Sequence, residues 1–179
     1  NVADKYGVDA LRMGLLTGTS PGNNQPYEES KVIGARNFCN KLWNIARYSE
    51  GLIGEEFSRE IQAIPNSLAD HWILSKLQLA TKNIDQLLTD YRVGEAYNVL
   101  YHFIWDEFAD WYLEATKSQP NNSVLARVLT DSLKLAHPFA PFVSETIWQT
   151  LGRSEDNLIE SSWPTKLARF DAKKAEGFV

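Results

Sequence analysis

The sequence predicts an all-α protein, an antiparallel bundle of amphipathic helices. Three observations predict it. Apolar residues recur at three- and four-residue steps over long stretches, the spacing of one face of a helix. No stretch of useful length alternates apolar and polar residues as a half-buried strand does. The breaks between periodic stretches are mostly short and carry Gly, Pro, Asn or Ser, which suits antiparallel neighbours. With 179 residues, 44% of them hydrophobic, the chain can bury one sizeable core.

The elements follow in order. Residues 4–16 read as a helix with Tyr6, Ala10, Met13 and Leu16 on one side. Thr17 to Pro26 contains Gly18, Pro21, Gly22 and two asparagines, and reads as a loop or extended linker. Glu28 and Glu29 open the next helix, where carboxylates favour the N-terminal dipole. Ala35, Phe38, Leu42, Ile45 and Ser49 give it a core face, and Gly51 and Gly54 end it. Ser67-Leu68-Ala69-Asp70 is a capping box with Asp in the usual place of Glu or Gln. The helix it opens carries Ile73, Leu77, Ala80, Ile84, Leu87 and Tyr91 at strict helical spacing. Gly94 lies near the turn into a further helix. There Ala96, Leu100, Phe103, Phe108 and Trp111 form the apolar face, and Asp106, Glu107, Asp110 and Glu114 the wet one. Pro120 to Ser123 is a tight connection with Ser123 as the expected cap. Leu125, Val128, Leu129, Ser132 and Ala136 mark another helix, which His137-Pro138 stops because proline cannot continue the ladder. Pro141 begins a short helix through Trp148. After Gly152 the chain reads as irregular, and Ala168 to Val179 as a charged tail.

Composition limits the function. The net charge of −5 argues against a general nucleic-acid binder, so any RNA contact must be local. No apolar run is long enough to span a bilayer, and no signal peptide opens the chain, so the cytoplasm is the expected compartment and no membrane partner is expected. Cys39 is the single cysteine. It excludes an internal disulfide and reads as a buried structural thiol beside Phe38. The start at Asn1, without Met and directly ahead of a helical run, reads as a cut inside a longer protein.

One stretch departs from the acidic background. Lys31 to Tyr48 carries four basic residues and no acid. Arg36, Asn40, Asn44 and Arg47 step along one helical face, flanked by Asn37, Lys41 and Tyr48. Cations take phosphates, amides hydrogen-bond base edges, and a ring stacks on an unpaired base. The alternative is an ordinary solvated helix face. Other constellations are weaker. His102, Asp106 and Asp110 lie four apart, but no second His or Glu pair completes a metal site. No Gly-rich phosphate loop follows a strand, and no strand-turn-helix elbow presents a nucleophile. No catalytic residue and no metal ligand is read from the sequence.

Several segments resemble a known family. Asp70-His71-Trp72-Ile73-Leu74-Ser75-Lys76-Leu77 is similar to the opening helix of the anticodon-binding bundle of class I aminoacyl-tRNA synthetases. Phe108-Ala109-Asp110-Trp111-Tyr112-Leu113-Glu114 resembles its signature helix. Leu135 to Phe142, with Glu145, Ile147 and Trp148, resembles its closing segment. Ala35-Arg36-Asn37-Phe38-Cys39-Asn40-Lys41-Leu42-Trp43-Asn44 resembles valyl-tRNA synthetases more than their isoleucyl or leucyl relatives. Tyr6 to Arg12 resembles the run after the KMSKS loop of these enzymes. Two departures are the short connection Lys117 to Ser123 and Tyr48, where many relatives carry Phe.

The resemblance implies residues 1–26 as the end of a stem-contact region and linker. It implies residues 27–165 as the anticodon-binding bundle, and 166–179 as a charged tail leading toward a coiled coil. It implies a valine-accepting tRNA as partner, bound at its anticodon arm by a monomeric domain. The implied contact set is Lys31, Arg36, Asn40, Lys41, Asn44, Arg47, Tyr48 and Leu113. Arg36, Lys31 and Lys41 would hold phosphates, and Arg47 with Tyr48 would read the loop. Leu113 is either a contact for a splayed base or core, and Arg36 either a phosphate ligand or the partner of Glu29. The family's HIGH motif, KMSKS loop and editing domain have no counterpart in these residues, so the implied role is recognition. ATP and Mg2+ are implied for the whole ligase and no cofactor for this part. The alternatives are the same domain of an isoleucyl or leucyl enzyme, and a helical protein-interaction scaffold.

Overall fold

The structure is a computed structural model that describes residues 1–19, 22, 24–54, 62–151, 157–164 and 169–178. Among the described residues all regular structure is helical, without a strand. The helices are α1 (Val2–Tyr6), α2 (Val8–Leu16), α3 (Glu29–Ile53), α4 (Leu68–Thr89), α5 (Val93–His102), α6 (Leu113–Thr116), α7 (Asn122–Ala136), α8 (Pro141–Thr150) and α9 (Ala172–Glu176). A π-helical segment, Phe103–Tyr112, joins α5 to α6 without a break, and a 3-10 turn spans Leu158–Glu160. α3 packs on α2 and α7, and α4 packs on α5, the π segment, α7 and α9.

The single helix expected over residues 4–16 is two. Gly7 sits between them at φ 93° and ψ 153°, where a Cβ would be strained, so the chain turns there. Gly51 lies inside α3, and Gly54 alone ends it at φ 63°. The five expected core positions of α3 are all buried, none more than 3% exposed. Tyr91 was expected on the core face of α4. It lies beyond the helix end at φ 59° and is 84% exposed. Trp111, likewise expected in the core, is 62% exposed. Its reason is the π segment. With i→i+5 bonding the buried pairs are Phe103 and Ile104, Phe108 and Ala109, then Tyr112 and Leu113. That wider step turns Tyr112 inward where a 3.6-residue period places Trp111.

The ends are tied down by named side chains. The capping box at Ser67 and Asp70 forms, with Asp70 N–H donating to Ser67 Oγ at 3.1 Å. Asp70 does more than cap. Its Oδ2 accepts from Asn66 N–H at 3.0 Å, Ser67 N–H at 3.2 Å and Asn121 Nδ2 at 2.7 Å. Its Oδ1 accepts from Tyr112 Oη at 2.7 Å. One buried carboxylate therefore joins the loop before α4, the π segment and the start of α7. Asn121, not Ser123, caps α7, accepting from Val124 N–H at 3.3 Å. Ser123 instead donates to Asn121 Oδ1 and accepts from Ile64 N–H.

The C-terminal residues are not a free tail. Asp171 caps α9, and its N–H donates to His71 Nδ1 on α4 at 3.0 Å. Phe178 packs its ring 5.1 Å from that of Trp72. Lys173 and Lys174 stay exposed while Ala175 is buried. Gly152, Ala168 and Val179, at the edges of the expected irregular and tail segments, lie outside the described residues.

Candidate nucleic-acid interface

α3 is the element that positions the predicted contact set. Its apolar face is locked into the core, so its polar face has one orientation. At about 100° per residue, Arg36, Asn40 and Arg47 fall within about 40° of one another. Asn44, Tyr48 and Lys41 lie about 80–140° round from Arg36, and Lys31 about 140° away in the other sense. The set therefore forms two adjoining stripes and one outlier.

The structure gives each stripe its own surroundings. Lys41, Asn44 and Tyr48 line an open cleft of about 240 Å³ between α3 and the end of the π segment, with Leu113 and Lys117 on the opposite wall. Arg36 and Asn40 line a second cleft of about 420 Å³, shared with Val8, Trp43 and the exposed Phe142. Arg47 lies by Trp43, Glu50 and Leu151 at the α8 end. Arg47 and Tyr48, neighbours in sequence, thus serve different clefts, because successive helical residues point about 100° apart. Lys31 is drawn off to the α2 side. Its Nζ is 2.9 Å from Glu28 Oε1 and 3.3 Å from Gln25 Oε1.

Charge pairing separates the cations. Lys41 Nζ is 2.7 Å from Asp110 Oδ1 and sits 4.9 Å over the Trp105 ring. Lys117 Nζ is 2.7 Å and 2.8 Å from the two Glu114 oxygens, and this bonding raises its pKa above the ordinary lysine range. Arg36 and Arg47 are exposed and, among the described residues, form no ion pair. Glu29, the expected partner of Arg36, instead accepts from Tyr6 Oη at 2.7 Å and Lys5 Nζ at 3.1 Å. The cleft holding Tyr48 is thus close to neutral, while the neighbouring stripe presents exposed guanidiniums.

Leu113 is 8% exposed, so it packs in the core and lines the cleft at once. Cys39 is half-buried, and burial first, then the nearby Asp9 charge, pushes its thiol up to about 12. It stays protonated and unreactive. His102 Nδ1 faces Asp106 at 2.7 Å, while Asp110 goes to Lys41, so the three residues spaced four apart do not converge. Among the described residues no group of three or more His, Cys, Asp or Glu is placed to hold a metal, and no helix is long and apolar enough to cross a membrane.

Sequence reasoning missed Lys117 and Glu114. Lys117 is four residues from Leu113, and that spacing puts both on one helical face. Glu114 was read only as part of a solvated face, but it lines the same cleft as Tyr48.

A helical bundle that turns exposed arginines, amides and an aromatic cleft outward has the make-up of an RNA-facing module. The chain belongs to the anticodon-binding domain family of tRNA ligases, whose model matches residues 70–178. It is 45% identical over 177 residues to a valine–tRNA ligase of Staphylococcus epidermidis and 43% identical over 176 residues to that of Staphylococcus saprophyticus. Each alignment covers 92% of this chain and 20% of the relative, so the chain spans about a fifth of their length. The fold matches the LeuRS of Agrobacterium radiobacter K84, solved in a ternary complex with tRNA and LeuAMS. The TM-score is 0.77 and the identity 23%, over 92% of this chain and 20% of that one.

Proposed function

We propose that this chain binds the anticodon arm of a valine-accepting tRNA, as a monomeric domain in the cytoplasm. The whole ligase would join valine to that tRNA with ATP and Mg2+, and this part supplies recognition. One observation carries the reading: Tyr48 and Leu113, distant in sequence, line one near-neutral cleft beside Arg36 and Arg47, which form no ion pair among the described residues. Unpaired bases are caught on aromatic and apolar surfaces and read at their edges, while phosphate contacts set position. The cleft has the first chemistry and the arginine stripe the second.

Titration of an anticodon-arm RNA at two salt concentrations tests it. Arg36→Ala and Arg47→Ala should each weaken all RNAs alike and reduce the salt slope by about 0.7. Tyr48→Ala should cost on the order of 1–3 kcal/mol per stacked base with the slope unchanged. If the double variant Arg47→Ala with Tyr48→Ala keeps its helicity and its RNA affinity, this face is not the anticodon site.

A further inference from the structure

α9 rests on α4 through few contacts. It has five residues, too few to stay helical alone, and of these only Ala175 is buried. Phe178 adds its ring, 5.1 Å from that of Trp72. Among the described residues one polar tie joins the two helices: Asp171 N–H donates to His71 Nδ1 at 3.0 Å. Asp171 is also the cap of α9. Its Oδ1 accepts from Lys173 N–H at 3.0 Å and Lys174 N–H at 3.4 Å. Anchor and cap are one residue, so loss of the anchor frees the short helix as a unit. The anchor works in one protonation state only. An imidazole nitrogen accepts while it carries no proton, and in the imidazolium both nitrogens donate. A second proton on His71 therefore sets N–H against N–H at the point where α9 is held.

We propose that His71 and α9 form an acid-opened latch: the segment 171–178 docks on α4 while His71 is neutral and leaves when the ring is protonated, baring Trp72 and freeing Lys173 and Lys174. The surrounding charges do not replace the lost bond. On α4, Asp70 is taken by Tyr112, Asn121, Asn66 and Ser67, and Lys76 by Glu107 of the π segment. On α9 the Asp171 carboxylate is turned to its own helix, and Lys173, Lys174 and Glu176 are exposed. On α7, Asp131 lies 2.6 Å from Arg127 Nε with Lys134 three residues on, and on α5 Glu95 is paired with Arg92. None of these carboxylates pairs with the His71 ring among the described residues. Release also has a local gain. Trp72 Nε1 is buried and has no acceptor among the described residues. Phe178 covers that ring, so its departure admits water, which gives the orphan donor a partner.

Amide hydrogen exchange of the full chain at pH 7.5 and 5.5, read by segment and corrected for the intrinsic pH dependence, tests the latch. An undocked imidazole of ordinary pKa, about 6.5, is roughly nine-tenths protonated at the lower pH. Protection of amides 174–178 should therefore fall about tenfold, and by more than that of α7 in the core. His71→Gln keeps an uncharged acceptor and should hold α9 at both pH values. His71→Ala has none and should leave α9 open at both, with α7 still protected. A second readout needs no variant. The chain has three histidines, and the midpoint of the α9 loss should coincide with the titration of the His71 ring followed by NMR. A midpoint that tracks His102 or His137 instead overturns the proposal. So does a loss of α9 protection under twofold, or a tenfold loss that persists in His71→Gln.

Discussion

Tyr112→Phe removes one oxygen and one hydrogen bond from the centre of the molecule. Tyr112 is 1% exposed and Asp70 is 1% exposed, so water does not replace the lost donor. Among the described residues Tyr112 is the only donor to Asp70 Oδ1. A hydrogen bond to a charged group contributes about 1.5–3 kcal/mol. In a domain of this size that corresponds to a fall in Tm of roughly 3–12 °C. Urea unfolding followed by far-UV circular dichroism should show a lower midpoint with the slope unchanged. The same substitution in an Asp70→Ala background should cost little, because the hydroxyl there has already lost its acceptor. Burial first, then the Asp70 charge, holds the Tyr112 phenol far above the ordinary tyrosine value of 10.0. The unfolded chain therefore ionises first as pH rises above 10.0, and stability falls there. Tyr112→Phe should remove that part of the alkaline loss. An unchanged midpoint, or an equal cost with and without Asp70, would refute the claim that this carboxylate ties the loop, the π segment and α7 together.

Two further outcomes follow from the packing. A Cβ on Gly94 would lie 2.7 Å from the Leu16 carbonyl oxygen and 2.8 Å from that of Thr19, so Gly94→Ala should destabilise by about 1–3 kcal/mol and outweigh its propensity gain. Gly34→Ala meets nothing within 4 Å and should stabilise α3 by roughly 0.5–1 kcal/mol; equal effects at the two glycines in denaturant melts would contradict this. His137 is held below its ordinary value of 6.5 by burial, against the pull of Glu145 and Asp9. The unfolded chain then takes the proton more readily, so stability should decline as pH falls below 6.5, and His137→Gln should flatten that decline in melts between pH 7.5 and 5, about one unit and more around the transition.

Much of the bundle was legible because most of its helices keep a single period. Ile73, Leu77, Ala80 and Ile84 are buried as their spacing requires, and the capping box at Ser67 formed as written. What was illegible had local physical causes. The π segment changes the period within a continuous helix, so Trp111, expected inside, lies outside and Tyr112 takes the buried place. Gly7 looks like any helical glycine until its φ is known. Docking of α9 depends on a backbone N–H reaching His71, one hundred residues away, and composition carries no sign of it. The stripe on α3 was legible as a face, but its division between clefts depends on which neighbours pack beside it. Lys31 was drawn into the set by charge alone, and a helical wheel separates it from the rest.

The pairing pattern sets how strongly salt should act on RNA binding. Of the five cations on or near this face, Lys31, Lys41 and Lys117 already have carboxylate partners, while Arg36 and Arg47 have none among the described residues. For single-stranded contacts the slope of log K against log salt is about −0.7 per phosphate neutralised. The two arginines give about −1.4, and all five cations about −3.5. A lysine that moves to a phosphate leaves Glu28, Asp110 or Glu114 uncompensated beside an anion, which opposes the move unless the carboxylate finds a donor. Glu114 is the one of the three that lines the Tyr48 cleft, and its pair with Lys117 is the most exposed of the three, so it opens at the least cost. The RNA titration should therefore give a slope near −2.1, three phosphates, with Arg36, Arg47 and Lys117 as the responsive positions. Lys41→Ala should then act through Trp105 and Asp110 on stability more than on the slope. A slope near −3.5 that falls by equal steps for all five alanine variants would mean that ion pairing within the fold does not select the phosphate contacts.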